Sequence, residues 1–113
     1  MLYIILIHAS ERSEKEYADP ALQQQMDEYN DRLDEAGVKV MAKGITPSHL
    51  AKRIAFRNEG KLLTQGPFSP IEEQISGFFL LDVATEEEAL HWFNQVPDPI
   101  GDGQGLIELR RLY

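Results

Sequence analysis

The chain is 113 residues long with a formal net charge of -8, a length that suits a single domain, 1–113, able to bury roughly two-thirds of its unfolded surface. Apolar residues at 42% and charged residues at 27% exclude a disordered chain. The 19 acids against 11 bases argue against a nucleic-acid partner, whose phosphates are bound by cationic side chains.

Met1 to His8 is an unbroken apolar run, the pattern of a strand whose two faces both need cover from water. It has no basic leader and is far shorter than the roughly 20 residues that span a bilayer, so neither a targeting segment nor a membrane partner is expected. Ala9 to Ala18 has no periodic pattern and reads as a loose segment. Asp19-Pro20 then starts a helix, Asp as cap and Pro in the first turn, with Leu22, Met26, Tyr29, Leu33 and Ala36 on one face. It stops at Gly37.

Val38 to Ala42 reads as the second strand, and Gly44 to Ser48 turns the chain. Leu50 to Arg57 and Lys61 to Gln65 flank Asn58-Glu59-Gly60, a three-residue hairpin connection. Gly66-Pro67-Phe68-Ser69-Pro70 is a fixed loop, because Pro lacks a backbone donor and restricts the residue before it. Ile75 to Val83 is again apolar on both faces, and Thr85-Glu86-Glu87-Glu88 is a capping box opening a helix that turns Ala89, Trp92, Phe93 and Val96 inward. After a loose Pro97 to Gly105 stretch, Leu106 to Leu112 closes the chain as a strand, with Ile107 and Leu109 on one face and Glu108 and Arg110 on the other.

This order is the βαββαβ pattern with an inserted β-hairpin, an α+β ferredoxin-like fold with both helices on one face of an antiparallel sheet. The other face is left bare although its strands carry Leu, Ile and Phe, more apolar surface than a monomer tolerates. The expected cover is a second copy, giving a homodimer through the helix-free sheet face.

Gly66-Pro67-Phe68, Glu73, the Gly77 to Val83 block, Glu87-Glu88-Ala89 and the closing Ile107-Glu108-Leu109-Arg110 resemble the YCII-related family, in particular its branch with an Asp-Gly-Pro-Phe motif. The Ile45-Thr46-Pro47-Ser48 turn also fits that branch. The resemblance implies a ferredoxin-like chain that dimerises into an α/β barrel. Much of the branch has no assigned reaction; relatives include a dehydrochlorinase of a chlorinated lactone, and short members carry a proposed His-Asp pair. The motif's Asp is Gln65 here, an amide that keeps hydrogen-bonding shape but takes no proton near neutral pH, and the first helix has no histidine near its start.

Candidate chemistry rests on few residues. Glu73, beside the Gly66 to Pro70 loop, is a general base if partly desolvated, or a carboxylate that holds the loop's N–H groups. His8 shares the parity of Leu2, Ile4 and Leu6, and His49 lies in a turn; either is a base near neutral pH, or an ordinary strand-end or exposed histidine. Asp82, Glu108 and Arg110 alternate onto the helix-free face, where Arg110 holds a substrate carboxylate with Glu108 or Asp82 as proton acceptor, or the charges form an intersubunit ion pair. Arg53 is the alternative clamp, with Gln65 and Phe68 beside it in the motif loop. Between positions 39 and 61 six Lys and Arg residues face one acid, which suits a small anionic ligand or docking of the hairpin on the acidic first helix. No two histidines have metal-ligand spacing, so no metal or cofactor is expected. The absence of cysteine excludes thiolate chemistry and fits a reducing, cytoplasmic setting.

Two functions follow: acid-base chemistry, of lyase or isomerase type, on an anionic organic substrate in a dimer cleft, or a non-catalytic ligand-binding or accessory dimer.

Overall fold

The computed structural model of the chain describes residues 1–15 and 19–113. Four strands, β1 (Leu2–His8), β2 (Lys39–Gly44), β5 (Ile75–Asp82) and β6 (Ile107–Arg111), form one antiparallel sheet in the order β2-β5-β1-β6. Strands β3 (Lys52–Arg57) and β4 (Gly60–Gln65) pair separately as a hairpin, between β2 and β5 in chain order. The helices are α1 (Glu11–Glu14), α2 (Pro20–Glu35) and α3 (Glu86–Phe93).

Register decides which side chains meet. Tyr3 lies opposite Leu81 and Ile5 opposite Phe79, while Ile5 also faces Leu109 and Ile7 faces Ile107 across β6. These side chains share the face against which the helices pack, because side chains alternate along a strand. The core there joins Tyr3, Ile5, Phe79 and Leu81 to Tyr29 and Leu33 of α2 and Ala89 of α3. Tyr29 meets Phe79 edge-on at a centroid separation of 5.2 Å and donates its hydroxyl to the Trp92 carbonyl at 2.8 Å, tying α2 to the end of α3. Burial raises the Tyr29 pKa, partly opposed by Arg32.

The helix signals act locally as expected. The Asp19 side chain accepts from the Ala21 N–H at 2.8 Å, and Gly37 takes a φ of +71° where the chain leaves the helix. Ala36, counted on the inward face, is exposed beyond the last turn. At α3 Thr85 accepts from the Glu88 N–H, but the Glu88 carboxylate bonds Ala84, one residue ahead of the cap.

Four local expectations change. The segment read as loose holds the single turn α1, capped reciprocally by Ser10 and Ser13; its last residues, 16–18, lie outside the described ones. The strand expected from Leu50 starts at Lys52, because Ser48–Leu50 is a 3-10 turn. Arg57 pairs with Gly60, so only Asn58 and Glu59 connect the hairpin. The Pro97 to Gly105 stretch is organised by Asp98, whose Oδ1 accepts N–H groups from Ile100, Gly101 and Gly105 at 2.9, 2.9 and 3.0 Å. Arg12 of α1 reaches the same loop, donating to the Ile100 carbonyl at 2.9 Å.

The hairpin is exposed at every position of both strands, so it does not dock on the acidic helix of its own chain. On the main sheet, the helix-free face carries Leu2, Ile4, Leu6, Phe78 and Leu80, all partly exposed. No helix among the described residues is long and apolar enough to cross a membrane.

Candidate functional site

Two groups of side chains lie on either side of the segment that precedes β5. The first follows from strand register. Arg110 stands opposite Ile4 and Glu108 opposite Leu6, so with His8 they run in sequence along the helix-free face. The His8 Nδ1 lies 2.8 Å from the Glu72 carbonyl oxygen. With Nδ1 protonated, the ring donates there and turns Nε2 toward Glu108, 3.5 Å from Oε1. Arg110 donates to the other Glu108 oxygen at 3.0 Å.

The Arg110 hydrogen bond, with a smaller contribution from His8, holds the Glu108 carboxyl below its usual range despite some desolvation. Exposure grows along the row: the His8 side chain is 18% exposed, that of Glu108 42% and that of Arg110 67%. The arginine therefore keeps guanidinium donors toward solvent after bonding Glu108.

The second group surrounds an open cleft of about 660 Å³ between α1, the Ser48–Leu50 turn and the Gly66 to Pro70 loop. The loop is pressed onto the turn: Gly66 donates to the Ala51 carbonyl at 2.8 Å, and a Cβ on Gly66 would fall on the Ser48 carbonyl oxygen. Phe68 lines the cleft, and the Arg53 guanidinium covers its ring at 3.8 Å from the centroid while donating to Gln74 at 3.2 Å. Gln65 donates its amide to the His49 carbonyl at 3.3 Å, a bond that an ionised Asp cannot make. His49 is exposed and lines the cleft, as does Glu72, whose carbonyl faces His8.

Glu14 and Ser48 belong to this cleft and were not among the residues singled out in the sequence. The Glu14 carboxylate accepts the Ser48 N–H through Oε2 at 2.8 Å. Its Oε1 and the Ser48 Oγ are buried with no hydrogen-bond partner among the described residues. An unpaired buried polar atom costs about 1–3 kcal/mol. Neither residue falls on a periodic apolar face; the Ser10 and Ser13 capping pair is a local sequence signal for the Glu14 segment alone.

Two of the expected residues lie elsewhere. Glu73 is exposed, without the partial burial a general-base role asked for, and its backbone N–H rather than its carboxylate serves the turn, bonding the Pro70 carbonyl at 3.3 Å. Asp82 sits opposite Leu2, six positions along β1 from His8 and so roughly 20 Å away at strand rise. It is paired there with the Met1 amino group at 3.1 Å. Among the described residues no three His, Cys, Asp or Glu side chains gather as a metal site.

An α+β chain with antiparallel sheets and three helices among its described residues, compatible with a ferredoxin-like fold, defines the broad class. The model of the YCII-related domain matches residues 1–113, and the chain belongs to the YCII-related family. No curated protein matches it.

Proposed function

We propose that this chain is a cytoplasmic enzyme of the Asp-Gly-Pro-Phe branch, a homodimer closed through the helix-free sheet face into an α/β barrel. It moves a proton on a small anionic organic molecule held in the dimer cleft. The observation that carries the reading is the His8, Glu108 and Arg110 row. His8 is the proton acceptor, its ring oriented by the Glu72 carbonyl. Nε2 is the nitrogen left to take the proton, and the Glu108 carboxylate 3.5 Å from it stabilises the imidazolium that forms. Arg110, with donors still facing outward, binds the carboxylate of the substrate. The half-exposed apolar side chains around the row supply the dry walls that a second copy would close.

The test is proton exchange. Small carboxylic acids with an acidic C–H are screened by thermal shift, and the hits are incubated with the protein in deuterated water. Wild type is expected to exchange the C–H of at least one hit, His8→Gln to lose that exchange, and Arg110→Ala to lose the stabilisation by carboxylates. Equal stabilisation of wild type and Arg110→Ala overturns the clamp; unaltered exchange by His8→Gln overturns the base.

A non-catalytic ligand-binding dimer is favoured by one observation, the closed Glu108 and Arg110 pair at 3.0 Å. Carboxylate binding with no exchange in any hit identifies that case.

A further inference from the structure

The β3-β4 hairpin stands clear of the body of its chain. Every residue of both strands is exposed, and the radius of gyration, 15.8 Å, exceeds the roughly 13 Å of a compact chain of this length. Its two faces differ. The pairing of Ile54 with Leu63 and of Phe56 with Lys61 puts these four side chains on one face, with Lys52 at its base end. Arg53, on the opposite face, covers Phe68 and bonds Gln74, so the Ile54 face is turned from its own chain. Phe56 is 77% exposed even with the Lys61 ammonium 5.4 Å from its ring centroid. A two-stranded ribbon with such a face is marginal in water until another surface covers it.

Charge narrows the choice of that surface. Positions 39 to 61 hold six bases and one acid, and the rest of the chain holds five bases and 18 acids. An anionic membrane or a nucleic acid suits the hairpin but is repelled by that remainder. A second copy of the chain supplies the acidic surface itself. The acids are densest on α2, where Asp27, Glu28, Asp31 and Glu35 are exposed. Lys39 donates to Asp34 at 2.9 Å, which lays α2 along the edge strand β2 and neutralises one base of that strand. The other base, Lys43, stands opposite Phe78 on the helix-free face. Between α2 and the end of β2, Leu22, Met26 and Ile45 line an open cleft of about 360 Å³, an apolar seat for an aromatic ring.

We propose that the hairpin is an arm exchanged between two copies: Phe56, with Ile54 and Leu63, docks in the cleft between α2 and β2 of a second copy, and Lys52 and Lys61 meet the acids of that copy's α2. The exchange is reciprocal, so a two-fold pair is closed. The arm rests on the homodimer proposed above and adds to it a contact outside the sheet face.

The test uses the full chain. Cysteine is absent from it, so Glu59→Cys at the hairpin tip takes a single nitroxide label. The labelled variant at natural isotope abundance is mixed with nitrogen-15 wild type by dilution and reconcentration, so that broadening reports only contacts between copies. Amides of α2 and β2 are expected to broaden. Phe56→Ser, at a position too exposed to threaten folding, should weaken the dimer at least about tenfold in sedimentation equilibrium, as for the loss of one buried aromatic side chain. Lys52→Glu combined with Lys61→Glu should weaken it as well. Copies that pair without broadening of α2 and β2, or an unchanged dimer in Phe56→Ser, overturn the arm and leave the sheet-face dimer standing. A wild-type monomer overturns both. Broadening of α2 and β2 alongside unaltered proton exchange by His8→Gln retains the arm and removes the catalytic base alone. Sedimentation of a monomer with phosphatidylserine vesicles, lost in Phe56→Ser, overturns the second copy in favour of a membrane surface.

Discussion

Glu108 shows how one neighbour sets the state of a carboxylate on an otherwise open strand. Arg110 bonds it directly, His8 adds to the effect, and its carboxyl is held low. The contribution of that charged pair is present above the ordinary carboxylate range and fades as pH falls through the depressed value. Arg110→Ala is therefore expected to move the Glu108 titration upward toward the ordinary range, read from its side-chain carboxyl resonance. An unmoved titration would show that the pair does not persist in solution. Asp98 acts through backbone instead of charge. Burial works against its ionised form, but the N–H groups of Gly101, Ile100, Gly103 and Gly105 outweigh it and leave the carboxyl low. Asp98→Ala should cost about 1–3 kcal/mol in urea unfolding at neutral pH through the donors it strands. Asp98→Asn, which keeps an acceptor, should cost less. The wild-type advantage over Asp98→Ala should shrink in acid as the carboxylate is protonated.

Among the elements, α2 and the β3-β4 hairpin lie at opposite ends of a stability scale. Helix α2 is pinned by Tyr29 and Leu33, both 0% exposed. Leu33→Ala is expected to destabilise the fold by about 2–5 kcal/mol in denaturant titration, the range for a large buried aliphatic side chain. The hairpin has no such anchor. Ile54, Phe56 and Leu63 share one of its faces and are 51%, 77% and 63% exposed. Two strands alone are marginal in water, so in the monomeric chain its amides are expected to exchange with solvent at least roughly 100-fold faster than those of β1 and β5. Protection equal to that of the central strands would mean that another surface packs on the hairpin. Gly66 closes the base of this element, because its N–H bonds the Ala51 carbonyl and its close approach to Ser48 ties the end of β4 to the turn before β3.

At the scale of the whole molecule the asymmetry of the sheet matters most. One face is sealed by α2 and α3; the other offers Ile4, Leu6, Phe78 and Leu80 with no element of the described chain across it. If a second copy covers that face, a lysine placed in the middle of it separates the copies without disturbing the core, since the side chain points away from the helices. Phe78→Lys is expected to scatter light as a folded monomer, with wild-type circular dichroism, where wild type scatters as a dimer at low micromolar concentration. A wild-type monomer would remove the closed cleft, and with it the dry setting proposed for His8.

Local chemistry was legible before any coordinate. Asp19-Pro20 and Gly37 bound a helix because a cap and a left-handed exit depend on a few adjacent residues, and alternation placed Glu108 and Arg110 opposite Ile107 and Leu109 because a strand has a period of two. The same alternation put His8 on their face, but the 3.5 Å approach to Glu108 needed the antiparallel register of β1 and β6. Glu14 and Ser48 were beyond reach for a plainer reason. Thirty-four positions separate them, neither lies in a periodic pattern, and their contact arises only when α1 is laid against the Ser48–Leu50 turn. The exposed state of Glu73 was likewise decided by tertiary packing, since burial is a property of what covers a residue and not of its neighbours in the chain. Short-range rules of capping and alternation thus sufficed for the elements and their faces, whereas the partners across the cleft were chosen by contacts between segments far apart in sequence.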